Sequence, residues 1–166
     1  MNTQELTALA ESCPDIFPTF LGVFASDTLP SRIPIPCSLI ANLDTSNEKG
    51  SHWVCFYFPK NGLPEYMDSY GLEPLASFED FMGSSYRCNT HFLQSPFSAV
   101  CGQYCLYFLL RRSRVWTMDD VLCDFKANDF RYNDNLVYRF VEDHFRANLP
   151  MYDFGWQFEQ VCRSLK

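Results

Sequence analysis

The sequence lacks the residue patterns that mark zinc sites, membrane spans and secreted proteins. Its eight cysteines form no C-x-x-C pair and no Cys–His spacing typical of zinc, so we expect no metal. No apolar run approaches the roughly 20 residues that cross a bilayer. The first residues show no charged segment followed by an apolar stretch, which is the pattern of a secretory signal. We therefore expect a protein that is not secreted, has no membrane contact and works in a reducing compartment.

Positive charge is also scarce. Lys and Arg number 13 against 20 Asp and Glu, which gives a formal net charge of −7. Contacts to phosphate need clustered Lys and Arg, so this balance disfavours unassisted binding to DNA. The one basic cluster, Arg111, Arg112 and Arg114, is interpreted as the last turn of a helix, where cations are favoured. With 166 residues and neither repeat nor linker, the chain is expected to be a single domain over 1–166 and a monomer.

Hydrophobic patterning predicts a mixture of helices and strands. The predicted helices cover residues 2–12, 101–112 and 133–147, with shorter ones within 72–86, after Thr117 and in the last residues of the chain. The predicted strands cover 37–43, 52–58, 64–71 and 88–93, and the turn Asn61-Gly62 joins two of them as a hairpin. Five prolines make 14–36 a loop, in which FLGVF (20–24) is an apolar island.

The stretch QSPFSAVCGQYC (94–105) contains the candidate nucleophile. Small residues lead into Cys101, and an apolar segment compatible with a helix follows it. A helix N-terminus has unpaired N–H groups and a dipole that favours negative charge. A thiol placed there ionises more easily, and the thiolate is the reactive form. We therefore interpret Cys101 as the nucleophile of a cysteine hydrolase.

Three histidines are available as the general base that such a thiol needs. His144 lies on an amphipathic helix beside acidic residues and is expected to be a surface or boundary histidine. His91, three residues before Gln94, is expected to pack in a strand, with a place in the substrate groove as the alternative. His52 stands where a polar turn meets the most apolar strand, a position that is rigid on one side and open on the other. His52 is therefore the leading candidate, with a purely structural role as the alternative.

A carboxylate is expected to orient the imidazole and to stabilise its cation. Asp68 ends the strand that pairs through the hairpin with the strand after His52, so the two side chains should approach each other. Glu65 lies nearer the turn and Glu73 lies beyond Gly71, so both are weaker rivals. A simple turn-forming role at the strand end remains the alternative for Asp68.

An oxyanion hole needs donors aimed at the position where negative charge develops. The backbone N–H of Cys101 is one candidate. The side-chain amide of Gln94, seven residues upstream, is the other, because a returning loop would bring it to the same place. Alone, Gln94 would be an ordinary loop residue, and its interpretation depends on the other three positions.

The chain resembles the adenovirus protease (adenain) family, which is grouped with the SUMO proteases, in four marks that occur in the same order: His52-Trp53, Asp68, Gln94 and Cys101-Gly102. The run SAVCG (98–102) is closer to adenain, since SUMO proteases usually have an acidic residue where this chain has Val100. FLG (20–22) and CSLIANLD (37–44) are also similar. One difference is Asp68, where adenain has Glu. The resemblance covers about residues 17–112.

This resemblance implies an α+β, papain-like fold with a mixed β-sheet flanked by helices and the nucleophile at the N-terminus of a central helix. It implies a cysteine endopeptidase that cleaves structural precursor proteins of a virus, or of a virus-derived element, next to glycine during capsid maturation. The expected location is the host nucleus or cytoplasm and the virion. The alternatives are a SUMO- or ubiquitin-like-protein isopeptidase of the same fold and a catalytically inactive protein-binding module.

The same family is stimulated by a short viral peptide that is disulfide-linked to the enzyme, and by DNA. SSYRC (84–88) resembles the segment that contains the linked cysteine, so Cys88 is the candidate for an activator disulfide, with an idle thiol as the alternative. We expect no cofactor other than such a peptide. The acidic charge disfavours the DNA effect.

Overall fold

Five strands form one mixed sheet in the computed structural model, which describes residues 1–145. The strands are β1 (Phe20–Phe24), β2 (Cys37–Asn42), β3 (Trp53–Phe58), β4 (Glu65–Met67) and β5 (Arg87–Cys88), and they lie in chain order across the sheet. The helices are α1 (Thr3–Ser12), α2 (Ala76–Met82), α3 (Cys101–Ser113), α4 (Met118–Leu122) and α5 (Phe130–His144). A short 3-10 turn, Phe17–Thr19, leads into β1. No helix within residues 1–145 is long and apolar enough to cross a bilayer.

The register of the sheet brings the start of β3 close to the end of β4. The two strands are antiparallel, with Cys55 opposite Met67 and Tyr57 opposite Glu65. β2 is also antiparallel to β3, whereas the outer pairs β1–β2 and β4–β5 are parallel. His52, just before β3, and Asp68, just after β4, therefore lie close together at the open end of the hairpin, as the Asn61-Gly62 turn predicted.

Helix α3 is the central helix. Nine of its 13 residues are buried, and its first charged side chain is Arg111 in the last turn. It packs with α1 and α5 against one face of the sheet, in a core that includes Leu6, Ile40 and Phe140. A second core lies on the opposite face, where α2 contributes Phe78. A helix that is apolar nearly all round must be covered on all sides, and this burial fixes the position of its N-terminus.

Four predicted elements differ from the structure. The strand predicted over 64–71 is limited to Glu65–Met67. FLGVF is not an island in a loop but edge strand β1, because pairing with β2 satisfies its backbone. The strand expected over 88–93 ends at Cys88, because the Asn89 side chain bonds the backbone of Asp68 and takes the place of the sheet pairing. α5 begins three residues earlier than predicted, with the Asp129 carboxylate accepting from the Tyr132 N–H. The helix expected at the end of the chain lies outside the described residues.

Candidate active site

His52 and Asp68 form a buried pair where the β3–β4 hairpin opens. Nε2 of His52 lies 2.7 Å from Oδ1 of Asp68, and the two residues are 7% and 1% exposed. Burial by itself lowers the pKa of His52, but hydrogen bonds to Asp68 and Cys101 and their negative charges outweigh it and raise this pKa to about 9. The site therefore favours an imidazolium at neutral pH.

Cys101 is the first residue of α3, as the sequence predicted. The preceding residue, Val100, offers no side-chain cap, so the N–H groups of the first turn remain directed out of the helix end. Burial raises the pKa of the Cys101 thiol, but the hydrogen bond to His52, the charge of His52 and a hydrogen bond from the Trp53 backbone N–H lower it below its ordinary value. Because Asp68 occupies Nε2, the nitrogen left for the thiol is Nδ1 of His52.

Asp68 is held from two sides by residues that the sequence did not single out. The Tyr70 N–H donates to Oδ1 of Asp68 at 2.8 Å. The Asn89 side chain accepts from the Asp68 N–H at 2.9 Å and donates to the Asp68 carbonyl at 2.7 Å. Asn89 is itself buried. These bonds fix the carboxylate relative to the imidazole, so the pair has little freedom to separate.

Tyr70 also connects His52 to Gln94. Its ring stacks on the imidazole, with centroids 4.6 Å apart and planes inclined by 22°. Its hydroxyl accepts from Nε2 of Gln94 at 3.3 Å. A stacked aromatic ring restricts rotation of the imidazole, and its face favours a cation. Tyr70 thus lies against the base and beside the proposed oxyanion donor.

The Gln94 side chain is buried and is held by hydrogen bonds at both its oxygen and its nitrogen. Its Oε1 accepts from the Ser69 hydroxyl at 2.7 Å, and its Nε2 donates to the Ser98 carbonyl at 2.9 Å in addition to Tyr70. The longest of these bonds is the one to Tyr70. A bound oxyanion would therefore compete with the Tyr70 hydroxyl for one amide hydrogen. The assignment of Gln94 to the oxyanion hole stays a prediction, as do the catalytic roles of Cys101, His52 and Asp68.

The other candidates for the base and for the orienting carboxylate take no part in the His52–Asp68 contact. His91 is exposed and outside any strand, so its expected packing in a strand is wrong. His144 stacks on Phe140 and bonds its carbonyl at the end of α5, in agreement with a boundary position. Glu65 forms a buried ion pair with Arg112 at 2.6 Å and does not reach the imidazole.

Within residues 1–145 no other cysteine has a histidine partner like that of Cys101. Cys88 lies on edge strand β5, half-buried, and burial raises the pKa of its thiol. Within residues 1–145 every cysteine is a free thiol, and no group of three or more His, Cys, Asp or Glu side chains could hold a metal ion. The activator role of Cys88 stays a prediction.

The fold is that of a known viral protease. A crystal structure of selenomethionine-labelled ASFV pS273R protease matches 69% of this chain with a TM-score of 0.51 and 20% identity, and a second crystal structure of the same protein matches 69% with a TM-score of 0.49 and 19% identity. The match covers 46% and 45% of those chains, so this chain corresponds to less than half of their length. No protein-family model and no curated protein matches the sequence. The expected adenain-like α+β fold with a mixed sheet is confirmed.

Proposed function

We propose that this protein is a cysteine endopeptidase. The observation that carries the proposal is the placement of Cys101 at the start of a buried helix, hydrogen-bonded to a histidine that a buried carboxylate holds. A nucleophile, a base and a group that orients the base are the three parts that acyl transfer by a thiol requires. The fold shared with ASFV pS273R protease supports the same conclusion.

The chemistry follows from this geometry. The Cys101 thiolate attacks the scissile carbonyl, and the negative charge moves to the carbonyl oxygen near the N–H groups that begin α3. The His52 imidazolium gives its proton to the leaving amine, and a thioester with Cys101 remains. Neutral His52 then takes a proton from water, whose oxygen attacks the thioester and releases the acid. Asp68 stabilises each imidazolium and fixes the tautomer of the neutral ring.

The proposed substrates are structural precursor proteins of a virus or of a virus-derived element, cleaved next to glycine during capsid maturation. The resemblance of the ordered residues to adenain supports this choice. A glycine beside the scissile bond suits a nucleophile that is only 8% exposed, because it brings no side chain to the approach. The host nucleus or cytoplasm and the virion are the proposed locations. A peptide linked through Cys88 is the proposed activator, and the position of Cys88 on an edge strand makes it reachable from solvent.

The test is cleavage of a proteome-derived peptide library, read by mass spectrometry for the wild type and for Cys101→Ala. We expect new termini in the wild-type digest only, enriched in glycine beside the cut. Fusions of ubiquitin and of SUMO to a reporter form a second arm, and release of the reporter without library cleavage would favour an isopeptidase. Cleavage that persists in Cys101→Ala would refute the proposal. A wild type that neither cleaves nor reacts with iodoacetamide at Cys101 would indicate an inactive binding module.

A further inference from the structure

Helix α5 reaches the loop that precedes the nucleophile through two adjacent polar residues. The Asn133 amide donates to the Leu93 carbonyl at 3.1 Å and is fully buried. Oδ1 of Asp134 lies 3.4 Å from the Ser95 nitrogen, which donates to it. The loop between β5 and α3 is thus attached to an element that contributes no residue to the catalytic pair.

Further hydrogen-bond donors lie around the Asp134 carboxylate. The Tyr104 hydroxyl lies 3.0 Å from its Oδ1 and 3.1 Å from the Leu93 carbonyl, so it bridges the carboxylate and the loop. The Ser98 hydroxyl donates to the Ser95 carbonyl at 3.1 Å and lies near enough to the Asp134 carboxylate to lower its pKa. One carboxylate therefore joins Ser95 to the first turn of α3, and Ser98 is held to Ser95 because its N–H and its hydroxyl both donate to the Ser95 carbonyl.

The Ser98 carbonyl is the acceptor that fixes the Gln94 amide, at 2.9 Å. A change in the position of Ser98 would therefore rotate or release the amide. The path from Asp134 to the oxyanion donor consists of one hydrogen-bonded loop. No contact of this path passes through His52 or Asp68.

The electrostatics agree with a functional role. Burial raises the pKa of Asp134, and hydrogen bonds from Ser98, Tyr104 and the Ser95 N–H oppose this effect only in part. A half-buried carboxylate with a raised pKa reduces the stability of the folded state at neutral pH. Residues of this kind are found where function needs them.

We infer that Asp134 is a positioning residue that holds the 94–98 loop and, through it, the Gln94 amide at the oxyanion site. The inference rests on the proposed peptidase function. It assigns to α5 a part in transition-state stabilisation, whereas the affinity for substrate and the reactivity of Cys101 should not depend on it. A misplacement of about 1 Å can cost on the order of 100-fold in rate.

The test compares Asp134→Ala, Asp134→Asn and the control Asp143→Ala, which removes an exposed carboxylate from the same helix. The substrate is a fluorogenic peptide that ends in Gly-Gly-aminomethylcoumarin. We expect Asp134→Ala to lower kcat on the order of 100-fold with KM changed less than about 2-fold. Asp134→Asn should recover most of the rate, because the amide keeps an oxygen for Tyr104 and Ser95. Iodoacetamide should alkylate Cys101 at the wild-type rate in all three.

Hydrogen exchange of the Ser95, Phe97 and Ser98 amides gives a readout that does not need activity. We expect faster exchange there in Asp134→Ala than in Asp143→Ala. Unchanged kcat and exchange would overturn the inference, and so would a loss of alkylation parallel to the loss of kcat. If the wild type hydrolyses no peptide while exchange responds as expected, the peptidase proposal fails and the anchoring of the loop stands.

Discussion

The substitution Asp68→Asn tests whether Cys101 and His52 form a thiolate–imidazolium pair that the Asp68 carboxylate stabilises. Oδ1 of Asp68 accepts from His52 and from the Tyr70 N–H, whereas Oδ2 is buried without a hydrogen-bond partner in the described part of the chain. An asparagine whose amide oxygen takes the place of Oδ1 keeps both bonds. The substitution therefore removes the charge while it preserves the volume and the hydrogen bonds of the site.

The magnitude follows from the pKa of His52. The rise from the ordinary 6.5 to about 9 corresponds to about 3 kcal/mol in favour of the imidazolium. Burial opposes this rise, and the hydrogen bond to Asp68 is the largest of the interactions that produce it. The asparagine keeps this hydrogen bond, so the loss comes from the charge of Asp68, to which we assign roughly 1–2 kcal/mol, about 5- to 30-fold in the equilibrium constant between the ion pair and the neutral pair. We expect kcat/KM to fall by the same factor.

The assay is the rate of Cys101 alkylation by iodoacetamide as a function of pH, because this neutral reagent reports the thiolate. The bond to His52 is the first of the interactions that lower the pKa of Cys101, so the wild type should react at pH values below the ordinary thiol pKa of 9.0. In Asp68→Asn the midpoint should move to higher pH. Cys101→Ala gives the background from the other thiols, of which Cys123 is exposed.

A wild-type pH profile in Asp68→Asn would refute this reasoning. Glu73→Gln is the matched control, because it removes the charge of an exposed rival carboxylate. The midpoint should stay in place for this variant. A shift of equal size in both variants would mean that the net charge of the protein, rather than the buried contact between Asp68 and His52, sets the fraction of Cys101 that is thiolate.

Two further substitutions test how the site is supported. Asn89→Ala should lower the free energy of unfolding in urea by about 2–3 kcal/mol, since it leaves the buried N–H and carbonyl of Asp68 without partners. Arg112→Met should cost about 3–5 kcal/mol by leaving Glu65 buried without its cation, whereas Arg114→Met, at an exposed pair, should cost less than about 1. Burial raises the pKa of Glu65, so the Arg112→Met deficit should grow as pH rises above 4.5 and shrink below it; a deficit independent of pH would contradict this assignment.

The contact between His52 and Asp68 was predictable because it depends on local rules. A hairpin signalled by Asn61-Gly62 fixes which residues meet across two strands, and the structure pairs them as that turn predicts. Small residues before an apolar segment likewise fixed the start of α3 at Cys101. Each of these inferences spans fewer than about 20 residues, a range in which periodicity and turn chemistry determine the geometry.

The supporting residues were not predictable from the same rules. Asn89 reaches Asp68, and Asp134 reaches Ser95, across loops whose paths no periodicity describes. An asparagine in a loop has many ordinary roles, so its type alone points to none. The contact between Tyr70 and His52 could have been predicted, because the hairpin register places the residues after Asp68 beside His52.

The edge strand β1 shows a different reason why a prediction from the sequence fails. Its five residues follow Pro18 in a segment with many prolines, and local composition there favours a loop. The strand exists because β2 offers it a parallel partner, and that contact depends on the whole sheet. A short segment at a sheet edge takes its structure from its neighbour more than from its own sequence.

Two polar links, one at each end of α3, connect the helix to β4 and to the residue that follows it. At the C-terminal end of the helix, Arg112 bonds Glu65, the first residue of β4. At its N-terminal end, Cys101 meets the imidazole held by Asp68, one residue beyond β4. The linked helix residues are about 16 Å apart along the axis, and a slide of one turn, about 5.4 Å, would also disrupt the packing of the buried surface between them. Such a slide would break both polar links at once. The buried ion pair at the far end of the helix therefore adds to core packing in setting the register that keeps Cys101 in contact with His52.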